Sequence, residues 1–337
     1  MTIDLPAKNI DLAAAPKLDL LSIRELEFKL GLERGYLRTL AAHAGGHYNP
    51  FVKPERVLPF QRRFKNRKKR IIDNPDQQLR DVQKRIYRRL LRPESLPDYI
   101  YGRVTNKCIQ DNVNRHLGAR MLVTVDIANF FPSVTNEYVY WLWNHVLLCS
   151  SEISILLTKL TSFERHLPQG AATSTPLANI LICTIDKQIR SECERMGITY
   201  STWVDDLAFS GNDPRRIIPV VIGALRKAGL RLSRKKLKIM GPATRKVLNG
   251  IVLGKNLGIT REVRARIRAG IHRLKTGGVP IQDQPKYMRS LIARIRQAET
   301  INSSQIQKLR SKLVAVLMDR TIVLTERQHF LKQLGCA

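Results

Sequence analysis

Along the chain, stretches whose apolar residues recur every three or four positions alternate with short β-branched runs, which predicts a mixed α and β fold. Residues 1–16 show neither period and read as a loose arm. From Leu18 to about Ala44, the positions Leu21, Ile23, Leu26, Leu30, Leu37 and Leu40 predict helical segments broken near Gly31 and Gly35. The stretch Arg62 to Arg92 begins as two short strands joined by a basic turn and runs into a helix from about Gln77 to Leu91. Met121 to Ile127 is a β-branched apolar run, a buried strand that delivers Asp126 to its edge, with a helix starting near Pro132 or Thr135. A Gly-, Ser- and Thr-rich loop over Leu167–Thr175 precedes a helix with Leu177, Ile180, Leu181, Ile185 and Ile189 on one face. Tyr200 to Ser210 reads as a β-hairpin with Asp205 and Asp206 at its tip, followed by a helix from about Arg215 to Ala228. Beyond Gly258 only helices are predicted, over roughly Arg261–Lys275, Pro285–Glu299, Ser303–Asp319 and Thr325–Leu334.

Charge changes the picture more than size does. In 337 residues there are 58 Lys and Arg against 28 Asp and Glu, a net charge of +30, and an excess this widely spread points to a partner rich in phosphate. A membrane partner is disfavoured, because the basic runs are not gathered on one amphipathic helix and no apolar run approaches a span of about 18 residues. The five cysteines form no Cys-x-x-Cys pair, so neither a zinc site nor a disulfide framework is expected. Ordinary thiols and the lack of a signal-peptide pattern lead to the expectation of a cytoplasmic protein.

Against that positive background stand the adjacent carboxylates Asp205 and Asp206. Two aspartates at a turn repel each other, and oxygen-only ligation is what Mg²⁺ prefers. Asp126 lies 79 residues earlier, also where a strand meets a turn; in a β-α-β-β sheet the two strands would be neighbours. Three carboxylates would then hold two Mg²⁺ ions about 3.5–4 Å apart, one activating a hydroxyl and the other stabilising a leaving pyrophosphate. An Asp-Asp turn alone is a weak signal; the surrounding segments strengthen it.

Val125 to Ser133 (Val-Asp-Ile-Ala-Asn-Phe-Phe-Pro-Ser), Leu167 to Asn179 (Leu-Pro-Gln-Gly-Ala-Ala-Thr-Ser-Thr-Pro-Leu-Ala-Asn) and Trp203-Val-Asp-Asp206 occur in that order. They resemble the palm motifs of reverse transcriptases, and specifically those of bacterial retron reverse transcriptases. The resemblance implies an α+β right-hand polymerase with fingers, a ferredoxin-like palm carrying the carboxylates, and a helical thumb. Its divisions would be an N-terminal helical arm at 1–60, fingers at 61–120, palm at 121–254 with a finger-associated insert at about 135–175, and an RNA-binding thumb at 255–337. It also implies that Asp126, Asp205 and Asp206 are the catalytic, metal-holding residues, with two Mg²⁺ as cofactor. Phe131 would exclude a 2′-hydroxyl and so select deoxynucleotides, while Phe130 reads as core. Gln169 and Gly170 would approach the incoming nucleotide and template, and Arg70 would grip the triphosphate, with Lys65 and Lys68 either assisting or simply solvated. Lys236 fits the fourth motif, as proton donor to pyrophosphate or as a simple phosphate contact.

Gln110 to His116 and Val247 to Val252 resemble two regions peculiar to retron enzymes, although Val113 and Leu248-Asn249 depart from the usual residues. Asn112, His116, Asn249 and Gly250 are therefore candidates for RNA contact, with a structural role open for His116. Trp203 stands where tyrosine is usual, and an indole cannot accept a hydrogen bond. The arginine-rich helix after Thr260, including Arg264 and Arg268, suits recognition of an RNA by shape and backbone. The implied partners are a structured noncoding RNA serving as template and primer, its DNA product, dNTPs and a separately encoded effector protein, with no membrane. Synthesis would start from an internal guanosine 2′-hydroxyl and yield branched multicopy DNA within an antiphage system. A group II intron-like or other bacterial reverse transcriptase, and a noncatalytic RNA-binding scaffold of the same fold, are the alternatives.

Overall fold

A computed structural model describes residues 17–53, 70–92, 96–319, 324 and 326–335. The expected arm at 1–16, the basic run from Arg62 to Lys69 with Lys65 and Lys68, Thr325 and Cys336 lie outside the described residues. The chain divides into two compact units: Met1–Asn112 with Val123–Ile239, and Val113–Leu122 with Met240–Ala337.

The first unit begins with α1 (Ile23–Leu30) and α2 (Tyr36–Ala42). Ser22 caps α1 by accepting the Glu25 N–H, and Gly31 ends it in the left-handed conformation, as the glycine break implied. Two short strands follow, β1 (Phe51–Lys53) and β2 (Arg70–Ile72), paired antiparallel with Lys53 opposite Arg70. Thus β1 lies upstream of the basic stretch expected to hold both strands. Asp76 caps α3 (Gln77–Ile86), which continues through a π-turn to Leu91 as the pattern predicted. After α4 (Ile109–Asn114) the chain enters β3 (Met121–Asp126), whose apolar side chains are buried. Next come α5 (Phe130–Ser133), α6 (Asn136–Trp141), α7 (Ser151–Thr161), α8 (Ser174–Ile185) and α9 (Lys187–Arg195).

The single helix expected through Ile189 is two helices. Asp186 sits at the break with 1% of its surface exposed and accepts hydrogen bonds from Tyr99 Oη, Tyr200 Oη and Arg190 Nε at 3.0–3.2 Å. Burial pushes its carboxyl up to about 6 against the opposing pull of Arg190.

The hairpin β4 (Thr199–Trp203) and β5 (Asp206–Gly211) comes next, then α10 (Ile218–Lys227) and β6 (Lys238–Met240). The sheet order is β4-β5-β3-β6, so the hairpin strand bearing Asp206 lies directly beside the strand bearing Asp126. One continuous apolar core backs this sheet, including Val123, Val125, Leu181, Leu207, Phe209 and Val221.

In the second unit, β7 (Lys246–Leu248), β8 (Ile251–Leu253) and β9 (Leu257–Ile259) form an antiparallel meander. All three strands belong to the unit made of Val113–Leu122 and Met240–Ala337. The helices α11 (Arg261–Lys275), α12 (Gln284–Ile301), α13 (Ser303–Met318) and α14 (Arg327–Gln333) follow the predicted periods. Thr260 caps α11, and the inward residues Ile267, Ile271, Leu291, Ile295, Leu309, Leu313 and Phe330 form a core of their own.

Candidate active site

Asp126 is the last residue of β3 and Asp206 the first of β5, on adjacent strands. Trp203 pairs with Asp206, which leaves Val204 and Asp205 as a two-residue hairpin turn. The Asp205 carbonyl accepts the Ile127 N–H at 3.1 Å, tying the turn to the end of β3. Asp126 is consequently close enough to perturb both hairpin carboxylates. Burial raises Asp205, and the Asp126 charge adds to the effect, while Lys236 and Arg70 oppose it. Asp206 is pushed up to about 6 by burial, by the charges of Asp205 and Asp126, and by a side-chain hydrogen bond with Asp126. Like charges sharing a poorly hydrated site disfavour the ionised form.

The cation answering this charge is Lys236, whose Nζ lies 2.6 Å from Asp126 Oδ2. Its approach is set by backbone bonds: Ala128 N–H donates to Arg231 O and Ser233 N–H to Asp126 O, each at 2.8 Å, and Lys236 N–H closes the turn onto Ser233 O. Among the described residues no three His, Cys, Asp or Glu groups converge as a ready metal-ligand set. In this arrangement Asp126 is bonded to Lys236 and to Asp206 instead. The donor set is nonetheless oxygen-only and under charge repulsion, which fits a hard divalent cation.

Arg70 stands exposed on β2, and its charge is among those felt by Asp205. Gln169 is half-buried, and its loop is fastened to β2 through Asp73. The Asp73 N–H donates to Gln169 O, and the Gln169 N–H to Asp73 Oδ2, both at 2.8 Å. His166 Nε2 lies 3.4 Å from the same oxygen. Gly170 has φ +133, and a Cβ there would stand 3.0 Å from Ile72 Cγ2 and 3.1 Å from Asp73 O, so the close approach of loop to strand requires glycine. Phe131 is half-buried with its ring centroid 5.8 Å from that of Phe130, which is core at 2% exposure. Trp203 is half-buried at the end of β4.

The expected RNA-contact residues separate from this group. Asn112 and His116 are each 1% exposed, so neither side chain presents itself to a nucleic acid at the surface. Burial, helped by Arg115, lowers His116 to about 4, and the ring is neutral at physiological pH. These polar residues are internal, and the direct-contact expectation is corrected for both. Asn249 and Gly250, with φ +49 and +81, form the two-residue turn between Leu248 and Ile251. Asn-Gly between β-formers is the preferred sequence for such a turn, a local signal that stands apart from the retron resemblance. On α11, Arg268 is exposed and Arg264 half-buried. Asn249, Gly250, His116 and both arginines belong to the second unit. Sequence reasoning also missed Asp73 and Gly102, whose partners are distant in the chain.

The reverse transcriptase (RNA-dependent DNA polymerase) family profile matches residues 61–260, more than half of the chain. The chain belongs to this family. Its curated relatives point to the retron-type enzymes. The reverse transcriptase is 29% identical over 226 residues to the retron Ec86 reverse transcriptase of Escherichia coli, a match covering 66% of this chain and 70% of the relative. It is 26% identical to the retron Se72 enzyme of Salmonella heidelberg, over 65% of this chain and 57% of that one. With the retron Mx65 enzyme of Myxococcus xanthus it shares 25% identity over 83% of this chain and 68% of the relative. The fold is thus of the right-hand polymerase type. Asp126, Asp205, Asp206, Arg70, Gln169 and Lys236 all fall inside the matched region, while Arg264 and Arg268 fall beyond it. No helix among the described residues is long and apolar enough to cross a membrane.

Proposed function

We propose that this reverse transcriptase is a retron enzyme that copies part of its own structured noncoding RNA into multicopy single-stranded DNA. It starts from the 2′-hydroxyl of an internal guanosine, leaving a branched RNA–DNA product, and it works in an antiphage system beside a separately encoded effector. The observation that carries the catalytic part is the meeting of Asp126, Asp205 and Asp206 at the ends of adjacent strands, with raised carboxyl pKa values at the latter two. The retron part rests on the curated relatives.

In this reading Asp126, Asp205 and Asp206 hold magnesium, which when bound supplies Lewis-acid activation of the primer hydroxyl and stabilisation of the pyrophosphate. Lys236, paired with Asp126, is placed to offer its ammonium to the triphosphate or to the departing pyrophosphate. Arg70 grips phosphate from β2 by bidentate contacts, and the Asp73 latch keeps that strand against the Gln169 loop, which positions the base. Phe131 lies below the sugar and excludes a 2′-hydroxyl. In the second unit, the exposed arginines of α11 follow the backbone of the RNA.

The test is to express the chain with its neighbouring upstream DNA and look for a short DNA that resists extension until debranched. Its loss with Asp205→Asn supports the reading. Co-purifying RNA without such DNA favours a noncatalytic scaffold, and synthesis that survives Asp205→Asn removes the site assignment.

A further inference from the structure

We infer that Gly102 is a positioning residue for the Val204–Asp205 turn, set against Val204 and locked there by Asn179. The inference rests on the reading of Asp205 and Asp206 as the catalytic carboxylates. Val204 adopts φ +59, a left-handed conformation that β-branched residues avoid. Such strain persists only where the surroundings over-determine it, and here they do so from two sides.

On one side is Gly102. A Cβ at this position would fall 2.4 Å from Val204 Cγ2, 2.8 Å from the Val204 amide nitrogen and 3.3 Å from the Trp203 carbonyl carbon. Two of those atoms are backbone and cannot turn away. Gly102 itself has no left-handed φ, so its need for glycine comes from this contact alone. Its place is fixed in turn. The Tyr101 N–H donates to Thr202 O at 3.0 Å and the Thr202 N–H to Tyr99 O at 2.9 Å, laying this segment along β4. Asn179 Nδ2, on the fully buried side chain of α8, donates to Gly102 O at 2.7 Å. Among the described residues Asn179 Oδ1 is buried with no partner, so this side chain acts here through its donor end. On the other side of the turn, the Ile127 N–H holds Asp205 O.

The turn is gripped between Gly102 and the end of β3, which sets where Asp205 and Asp206 stand relative to Asp126. Asn179 also lies on the helix that follows the Gln169–Gly170 loop, so one chain of contacts runs from that loop through Gly102 and Val204 to the carboxylates. Gly102 touches no substrate and acts through Val204.

The test compares wild type, Gly102→Ala, the double variant Gly102→Ala/Val204→Ala, Asn179→Ala and Asp205→Asn by steady-state DNA synthesis on a primed homopolymer. Terbium(III) binding, read by luminescence sensitised from Trp203, and thermal unfolding are measured alongside. Gly102→Ala is expected to unfold cooperatively, to lose about 100-fold in kcat with KM for the nucleotide changed by less than about threefold, and to bind terbium more weakly. Val204→Ala removes the nearest of the three atoms the new methyl would strike, Cγ2 at 2.4 Å, while the two backbone contacts stay, and so is expected to return only part, about tenfold, of the lost kcat. Retention of wild-type kcat in Gly102→Ala, or a folded Gly102→Ala that Val204→Ala does not rescue, overturns the inference. If Gly102→Ala does not fold, Asn179→Ala decides: a loss confined to kcat and terbium affinity supports the inference, and an equal loss in KM, or none, overturns it. Synthesis surviving in Asp205→Asn shows instead that the carboxylate reading has failed, and the inference falls with it.

Discussion

Asp73 and Gln169, 96 residues apart, exchange two hydrogen bonds of 2.8 Å, one from each backbone N–H. The Asp73 carboxylate is buried, so its bond to the Gln169 amide is worth more than a surface contact. Asp73→Ala is expected to loosen β2 and Arg70 from the loop and raise the nucleotide KM by about tenfold or more, at about 1.4 kcal/mol per decade, while kcat changes little. Asp73→Asn, which keeps an acceptor oxygen, is expected to fall between. Nucleotide titrations on a fixed template–primer check both, and a change confined to kcat would refute the latch.

Asp206→Asn should separate activity from stability. The carboxylate is held in a site where burial and two like charges disfavour its ionised form. Asparagine relieves that repulsion, so the metal-free variant is expected to melt a few degrees above wild type while DNA synthesis is abolished and RNA binding is spared. Thermal unfolding in a chelator, beside gel-shift and extension assays, measures all three.

The same carboxyl gives a signed pH dependence. It binds its proton more tightly in the folded protein, near 6, than the ordinary 3.8 of the unfolded chain. Protonation therefore favours the folded state. This contribution is whole below pH 3.8 and is lost as pH rises through about 6. Magnesium, which offsets the charge repulsion, is expected to raise the melting temperature more at about pH 7.5 than at about pH 5. An equal or reversed difference would show that these carboxylates do not bind the ion.

Lys236 lowers the pKa of both Asp205 and Asp206. Lys236→Met removes that cation, and the acid limb of the pH–rate profile is expected to move to higher pH. Because methionine also offers phosphate no positive charge, kcat at neutral pH is expected to drop by about tenfold to 100-fold. A lower kcat with an unmoved acid limb would confine Lys236 to the phosphate role.

Arg268 is exposed on α11 and Arg264 half-buried. If they meet RNA phosphates, replacing each by alanine is expected to weaken binding across sequences alike and to cut the slope of log affinity against log salt by about 0.7–0.9 for each arginine removed. Fluorescence titrations over a range of salt read this slope.

The carboxylate frame was legible because local signals carry it. Met121 to Val125 is a short apolar run rich in β-branched residues, which reads as a buried strand and leaves Asp126 at its end, and the hairpin follows from β-formers on either side of the turn. The Asn249–Gly250 turn carries the same kind of local signal in its dipeptide, but the expectation of RNA contact at those residues passes the turn over. The break after Ile185 was not, because the apolar period runs on to Ile189 while the cause, Asp186, is fixed by Tyr99 and Tyr200 from outside the helix. Asn112 and His116 show the same limit. A polar side chain satisfied inside the protein and one aimed at a ligand look identical in sequence, and only burial separates them. Asp73 and Gly102 gain their meaning from partners 96 and about a hundred residues away.

The strand order β4-β5-β3-β6 has a consequence for the timing of folding. The β4–β5 hairpin is local and closes on its own residues, but Asp126 waits for it across some 80 residues of intervening chain. That long loop is closed only when β5 docks on β3, the entropically slow kind of event. During synthesis, a ribosome-bound chain carries Asp126 well before its partners exist, and Lys236 emerges later still. A chain that ends before Asp205 therefore holds Asp126 without the two carboxylates that stand beside it in the folded protein.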